Sequence, residues 1–208
     1  MGLVRRNTQP QPIEETPETP AHELLERQLT SPEPDCRRQA ALDLDGSAEA
    51  VPALLGRLAG ETEPTARDAI LTTLAGHDTS EVAAGLVGHL ASEDAGLRTA
   101  VTEALSAMPE SAPSLMPGLL TDPDHDVRIL TAMVLANLRH AEAATWLAAM
   151  IRDDPHPNVV AAAIDALLPS AAAEHAALLR GAVQRFPDDP FLHFVVEAAL
   201  PRLTGTPR

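Results

Sequence analysis

Lysine and tyrosine are both missing from this 208-residue chain, and cysteine and tryptophan occur once each. Each absence removes a class of chemistry. Without lysine there is no side-chain amine for a Schiff base, and all 15 fully charged basic residues are arginine. A lone cysteine, Cys36, closes no internal disulfide, so nothing argues for an oxidising compartment. At the start of a helix it is expected to act as a small buried hydrophobe. With only three Phe and one Trp, the interior has to be filled by Ala and Leu, which suits closely packed helix pairs. No apolar run approaches the ~18 residues of a membrane span. Arg5-Arg6 is followed by no apolar stretch, so no secretory or twin-arginine signal is read there. Arg6 also stands where myristoylation on Gly2 needs Ser or Thr. A soluble, cytoplasmic protein is the expectation.

Positive charge is scarce as well: 30 acidic residues face 15 arginines, for a net charge of −15. A field of that sign repels phosphate backbones and anionic lipid, so neither nucleic acid nor a membrane surface is expected as a partner. It favours another protein with a basic surface or helix.

What the chain does have is a repeated phrase of nine residues, at intervals of 30 to 33. It runs Cys36–Leu44, Ala66–Leu74, Leu97–Leu105, Val127–Leu135, Val159–Leu167 and Leu192–Leu200. Arg37, Arg67, Arg98 and Arg128 hold its second place, which passes to Val160 and His193. About a dozen residues later a second helix aligns through its own i, i+4 pairs: Leu54 and Leu58, Leu86 and Leu90, Met116 and Leu120, Leu147 and Ile151, Leu179 and Val183. Two apolar helices at a fixed period near 31 predict an all-α solenoid, a right-handed superhelix of about six helix pairs, because one pair cannot bury its own face. Its span is expected to be residues 21–203, between a disordered polar tail over 1–20 and a frayed end over 204–208. Ala21–Leu29 reads as a half-repeat covering the first full unit. Proline-containing turns separate the units, and Asp35, Thr65, Asp126, Asn158 and Asp189 are the expected N-caps.

The stretch Asp122-Pro123-Asp124-His125-Asp126-Val127-Arg128, leading into Ala132 and Leu135, resembles the HEAT-repeat pattern, in particular the short HEAT-like units of the phycobilisome (bilin) lyases. The resemblance spans roughly residues 30–200 and is specific for fold. It implies a ladder between units, in which a loop acid meets a helix Arg. Glu61, Asp122 and Asp154 fill the acid position, with Ser31 and Ser92 at the others. The ladder is therefore expected to be partial and to fail toward the C-terminus. The resemblance also carries an enzymatic alternative, a lyase-like or chromophore-handling subunit for tetrapyrroles. Few aromatics are present to stack on such a ring, and only Arg57 and Arg180 are placed to pair its propionates.

On a helical wheel the side of each second helix opposite its Leu pair carries small residues. Gly56, Gly88, Gly118 and Gly181 recur at one position, each costing about 0.5–1 kcal/mol relative to Ala inside a helix. Either a partner approaches this face closely, or neighbouring second helices pack tightly against one another. Beside the stripe the later repeats place Leu115, Leu119, Trp146, Met150 and Leu178, and Trp is the residue type most enriched at binding hot spots. The candidate partner-binding residues are therefore Leu115, Gly118, Leu119, Trp146, Ala149, Met150, Leu178 and Gly181. The competing reading makes the flanking apolar residues core between repeats. Glu49, Glu81, Glu142 and Glu174, interrupted by Ser111, are explained by the positive end of the second-helix dipole.

Catalytic machinery is not recognisable. The iron-dependent hydroxylases of the HEAT class use paired His-Glu motifs, and here only His22-Glu23 has that order. His125 and His156 lie in equivalent turns among Asp122, Asp124, Asp126, Asp153 and Asp154, where solvated acidic caps are expected rather than a metal site. No Cys-x-x-Cys, no phosphate loop and no nucleophile with a base are present. The sequence thus predicts a non-catalytic scaffold, adaptor or assembly factor, without cofactor or metal, that binds a partner protein on its second-helix face.

Overall fold

The computed structural model describes residues 21–204; the expected tail over 1–20 and nearly all of that over 204–208 lie outside the described residues. Twelve α-helices and five short 3-10 turns make up the described chain, with no strand among them. Helix α1 (Ala21–Gln28) packs on α2 (Pro34–Asp43) and takes the place of a second helix ahead of it. Five complete pairs follow: α2 with α3 (Val51–Leu58), α4 (Pro64–His77) with α5 (Ser80–Val87), and α6 (Ala95–Ser106) with α7 (Met116–Leu119). The fourth and fifth are α8 (His125–Asn137) with α9 (Ala143–Asp153) and α10 (Pro157–Leu167) with α11 (Ala176–Arg185). Helix α12 (Pro190–Thr204) is the last described element, a first helix with no second helix after it among the described residues.

The first helices form one continuous layer, in which α2, α4, α6, α8, α10 and α12 touch in chain order. The phrase explains this layer. Its fifth and ninth residues are buried in the first five repeats, as Ala40 and Leu44, Ile70 and Leu74, Val101 and Leu105, Thr131 and Leu135, Ala163 and Leu167. Its eighth residue faces the preceding unit, where the Thr73 hydroxyl donates to the Ala41 carbonyl at 2.8 Å. Its sixth faces the following unit and is buried as Ala41, Leu71, Thr102, Ala132 and Ile164, but the sixth phrase places exposed Glu197 there.

Two sequence expectations are corrected. Helices begin on the prolines rather than after them: Pro34, Pro64 and Pro157 occupy the first turn, and the caps are Glu33, Glu63, Asp94, Asp124 and His156, while Asp189 caps α12 as expected by accepting from the Leu192 N–H at 2.8 Å. Proline lacks the N–H that is orphaned at that position anyway, and its fixed φ suits a helix start. Cys36 is exposed rather than buried. The equivalent residues Ala66, Leu97, Val127, Val159 and Leu192 are each buried with a complete repeat before them, whereas among the described residues only α1 precedes α2.

Candidate binding cleft at the seam between the third and fourth repeats

Buried ion pairs tie the first-helix layer to the turns of the next unit, in two clusters. In the first, Arg37 forms a fork on Glu61, Nε to Oε2 at 2.7 Å and Nη2 to Oε1 at 2.8 Å, and its Nη1 donates to the Ser31 and Pro32 carbonyls. Arg57 adds a second guanidinium to Oε2 at 2.9 Å, and the Glu63 N–H donates to Oε1. The bond from Arg37, with the Glu63 N–H and Arg57, holds the Glu61 carboxyl down at about 2 against the opposing effect of burial. Arg67 continues the chain by donating to the Glu61 carbonyl and to Asp94 Oδ2 at 2.6 Å. In the second cluster Arg128 forks on Asp154 at 2.7 and 3.2 Å, and Arg185 reaches back from α11 to the carbonyls of Ile151 and Asp154.

Between the clusters the ladder has a gap. Arg98 donates to the Ser92 carbonyl, and the Asp122 carboxylate instead accepts from the Asp124 N–H at 2.9 Å. The second-helix layer is interrupted at the same place. Pro113, Pro117 and Gly118 fall within one second-helix segment, so it is reduced to a 3-10 turn and the four residues of α7. A cleft of about 520 Å³ lies between the end of α7 and α9. Leu120, Ala149 and Met150 supply its apolar wall, and Asp122, Asp153 and Asp154 its acids. Arg128 engages Asp154, while Asp122 and exposed Asp153 stand at the rim, Asp153 with the Arg152 guanidinium 4.0 Å away.

The candidate residues separate into distinct groups. Leu119 and Met150 are each only 4% exposed and belong to the core, so neither forms an exposed patch. Helical spacing alone placed both beside the small-residue stripe, but the shortness of α7 turns Leu119 inward, and Met150 sits against the seam. Leu115, Trp146 and Leu178 are half-buried and pack on the core from outside. The indole of Trp146 stacks on His140 at 5.0 Å, which covers one of its faces. Ala149 lines the cleft. Gly118 is exposed and Gly181 half-buried. A Cβ built on Gly56, Gly88, Gly118 or Gly181 meets nothing within 4 Å, so close packing of neighbouring helices does not account for the column. Gly85 is the one second-helix glycine hemmed in, by Leu55.

Several residues of the site escaped the sequence reading. Asp122 was assigned to the ladder rather than to a cleft; the two prolines in its repeat's second helix were the available signal. Ser111 breaks the glutamate column because its hydroxyl and N–H, with the Glu110 N–H, donate to the Asp78 carboxylate at 2.6–3.0 Å. Asp78 sits in the left-handed region at φ 41°, a conformation that short polar side chains tolerate. His125 and His156 stack face to face at 4.1 Å. Among the described residues no group of three or more His, Cys, Asp or Glu is placed to hold a metal ion. No helix among them is long and apolar enough to cross a membrane.

Stacked helix pairs joined by arginine–carboxylate rungs define the class, an α-solenoid of short repeats. The chain belongs to the HEAT-repeat family, whose profile matches residues 22–106 and 112–199. Proteins of this fold generally serve as protein-interaction scaffolds and are typically non-catalytic. Two solved structures of engineered proteins from the Northeast Structural Genomics Consortium are similar to it, both at 20% identity. One covers 88% of this chain and 96% of its own at a TM-score of 0.42, the other 90% and 100% at 0.40. No curated protein matches the chain.

Proposed function

We propose that the protein is a non-catalytic adaptor or assembly factor whose second-helix face holds a partner protein, with the cleft between α7 and α9 as the anchor point. The observation that carries this is the cleft itself, an apolar wall beside the carboxylates of Asp122 and Asp153. A basic side chain with an aliphatic stem fits such a site: the stem covers Leu120 and Ala149 while the charge meets the acids. Gly118 and the open glycine column let a partner's backbone lie close to the helices on either side. Trp146, Leu115, Leu178 and Gly181 extend the same face. Tetrapyrrole handling has no observation of its own in its favour.

The test is affinity capture of the intact protein from its native cells at low salt, comparing the wild type with Ala149→Arg and with Asp153→Arg. One stoichiometric protein partner, bearing a basic surface and lost in both variants, is expected. A partner retained undiminished by both variants would remove the cleft from the account. A bilin whose absorbance changes on titration with the pure protein would move the reading to chromophore handling.

A further inference from the structure

Two of the three phenylalanines of this aromatic-poor chain stand in the open, Phe191 at 56% and Phe194 at 68% exposure. Both belong to α12. Leu192, Val196, Ala199 and Leu203 turn that helix's apolar face inward. At 100° per residue Phe191, Phe194, Ala198 and Pro201 gather in the opposite sector. This is a second apolar face, on the side of the helix away from the core. In the third place of the phrase, where Phe194 stands, the first three repeats carry exposed Arg38, Asp68 and Thr99.

The electrostatics of α12 are unlike those of the rest of the molecule. Glu197 and Arg202 are its only charged side chains, so the helix is neutral within a protein of net charge −15. A second copy of that charge is repelled everywhere except where the surface is locally neutral. The face is also complementary to itself. Placed antiparallel about Val196, Phe194 of one copy lies over Ala198 of the other, and Phe191 over Pro201. Large meets small along the contact. The same arrangement brings Arg202 of one copy to the N-terminal end of the other copy's helix, beside its Asp188, twice by symmetry. Both side chains are exposed. Isologous contacts of this kind close at two molecules.

We propose that α12 is a self-association helix: two copies of this chain pair antiparallel through Phe191, Phe194, Ala198 and Pro201, with Arg202 paired to Asp188 across the contact. A 15-residue helix is about 22 Å long, so the contact is small and its association reversible. Salt screens the two exposed Arg202–Asp188 pairs, but such pairs are worth about fivefold in affinity (about 1 kcal/mol) or less each, so the net repulsion sets the sign of the salt dependence. Screening the repulsion between two bodies of charge −15 strengthens the pair, whereas binding of a basic protein weakens with salt.

Sedimentation equilibrium on the intact chain, over about 1–200 µM and at about 0.05 and 0.5 M salt, tests it. A monomer–dimer equilibrium that tightens at the higher salt is expected. Phe194→Glu should weaken it about 30-fold or more, the effect of a hot-spot residue, with an unchanged melting temperature because the ring is exposed. Arg202→Asp should weaken it about tenfold, and Arg202→Asp with Asp188→Arg should recover the wild-type constant to within about threefold. A chain monomeric throughout, a dimer indifferent to Phe194→Glu, or a double reversal that recovers nothing would each overturn the proposal. None of these outcomes bears on the cleft between α7 and α9, which lies on the other helix layer.

Discussion

The turn before α4 and the turn before α8 use the same motif, an acid at the turn and an arginine one repeat earlier, and end in different physical states. At Glu61 the carboxylate is fully paired, with two guanidiniums and a backbone N–H satisfying both oxygens. At Asp122 the acid caps its own turn, and Arg98 is left with a carbonyl. Side-chain length contributes to the difference. Glutamate has one methylene more than aspartate, and the Glu61 side chain is fully withdrawn from solvent. Asp154 succeeds with the shorter chain because Arg128 is itself buried and fixed by the Asp122 carbonyl. A repeat motif thus names the partners but not the strength of the bond. Strength is set by how well the remaining lone pairs are satisfied and how far water is excluded.

The largest expected effect breaks the strong rung. Glu61→Ala leaves Arg37 buried without a counter-charge and should cost about 3–5 kcal/mol in urea unfolding, while Arg98→Ala costs less than about 1 kcal/mol. Equal losses would erase the distinction between the two turns. Acid acts on the same rung. A carboxyl held at about 2 when folded, against 4.5 ordinarily, stabilises the fold fully above 4.5 and loses that contribution as pH falls toward 2. Stability followed from pH 6 downward should therefore decline through about 4.5 to 2 in the wild type, and less steeply in Glu61→Gln. Next comes the cross-link that bridges the second and third repeats. Asp78→Ala strands the buried Ser111 and should cost about 1–3 kcal/mol. The smallest effects compare glycines. Gly56→Ala should raise stability by about 0.5–1 kcal/mol, since its Cβ meets nothing. Gly85→Ala should gain nothing, because its Cβ falls 2.8 Å from Leu55.

Much of the fold was legible because the period was. The buried fifth and ninth residues of the first five phrases, the leucine pairs of the second helices and the covering role of α1 follow from spacing alone. Legibility ended where one signal had two meanings. Proline reads as a breaker, yet Pro34, Pro64 and Pro157 open helices, so the expected caps Asp35, Thr65 and Asn158 fell after the observed starts, whereas Asp189 caps α12 as expected. Met150 and Leu119 sat on the wheel where a surface flank belongs, yet both are covered in the core. Cys36 shared a column with buried residues but lacked the neighbour that buries them. Asp94 replaced a missing loop acid for Arg67, a substitution that no alignment of columns reveals. The exposed phenylalanines lie off both apolar stripes, so the periodicity gives them no place.

Glu197 has a consequence beyond its own helix. A stack of like units offers at its last member the same surface that every inner member covers, so in principle it can go on growing by adding further molecules end to end. The residues that accept the following unit are small or apolar in five repeats, and in the sixth one of them is an exposed carboxylate. A unit packing there would have to strip that charge of water. One acidic side chain therefore opposes end-to-end growth at α12.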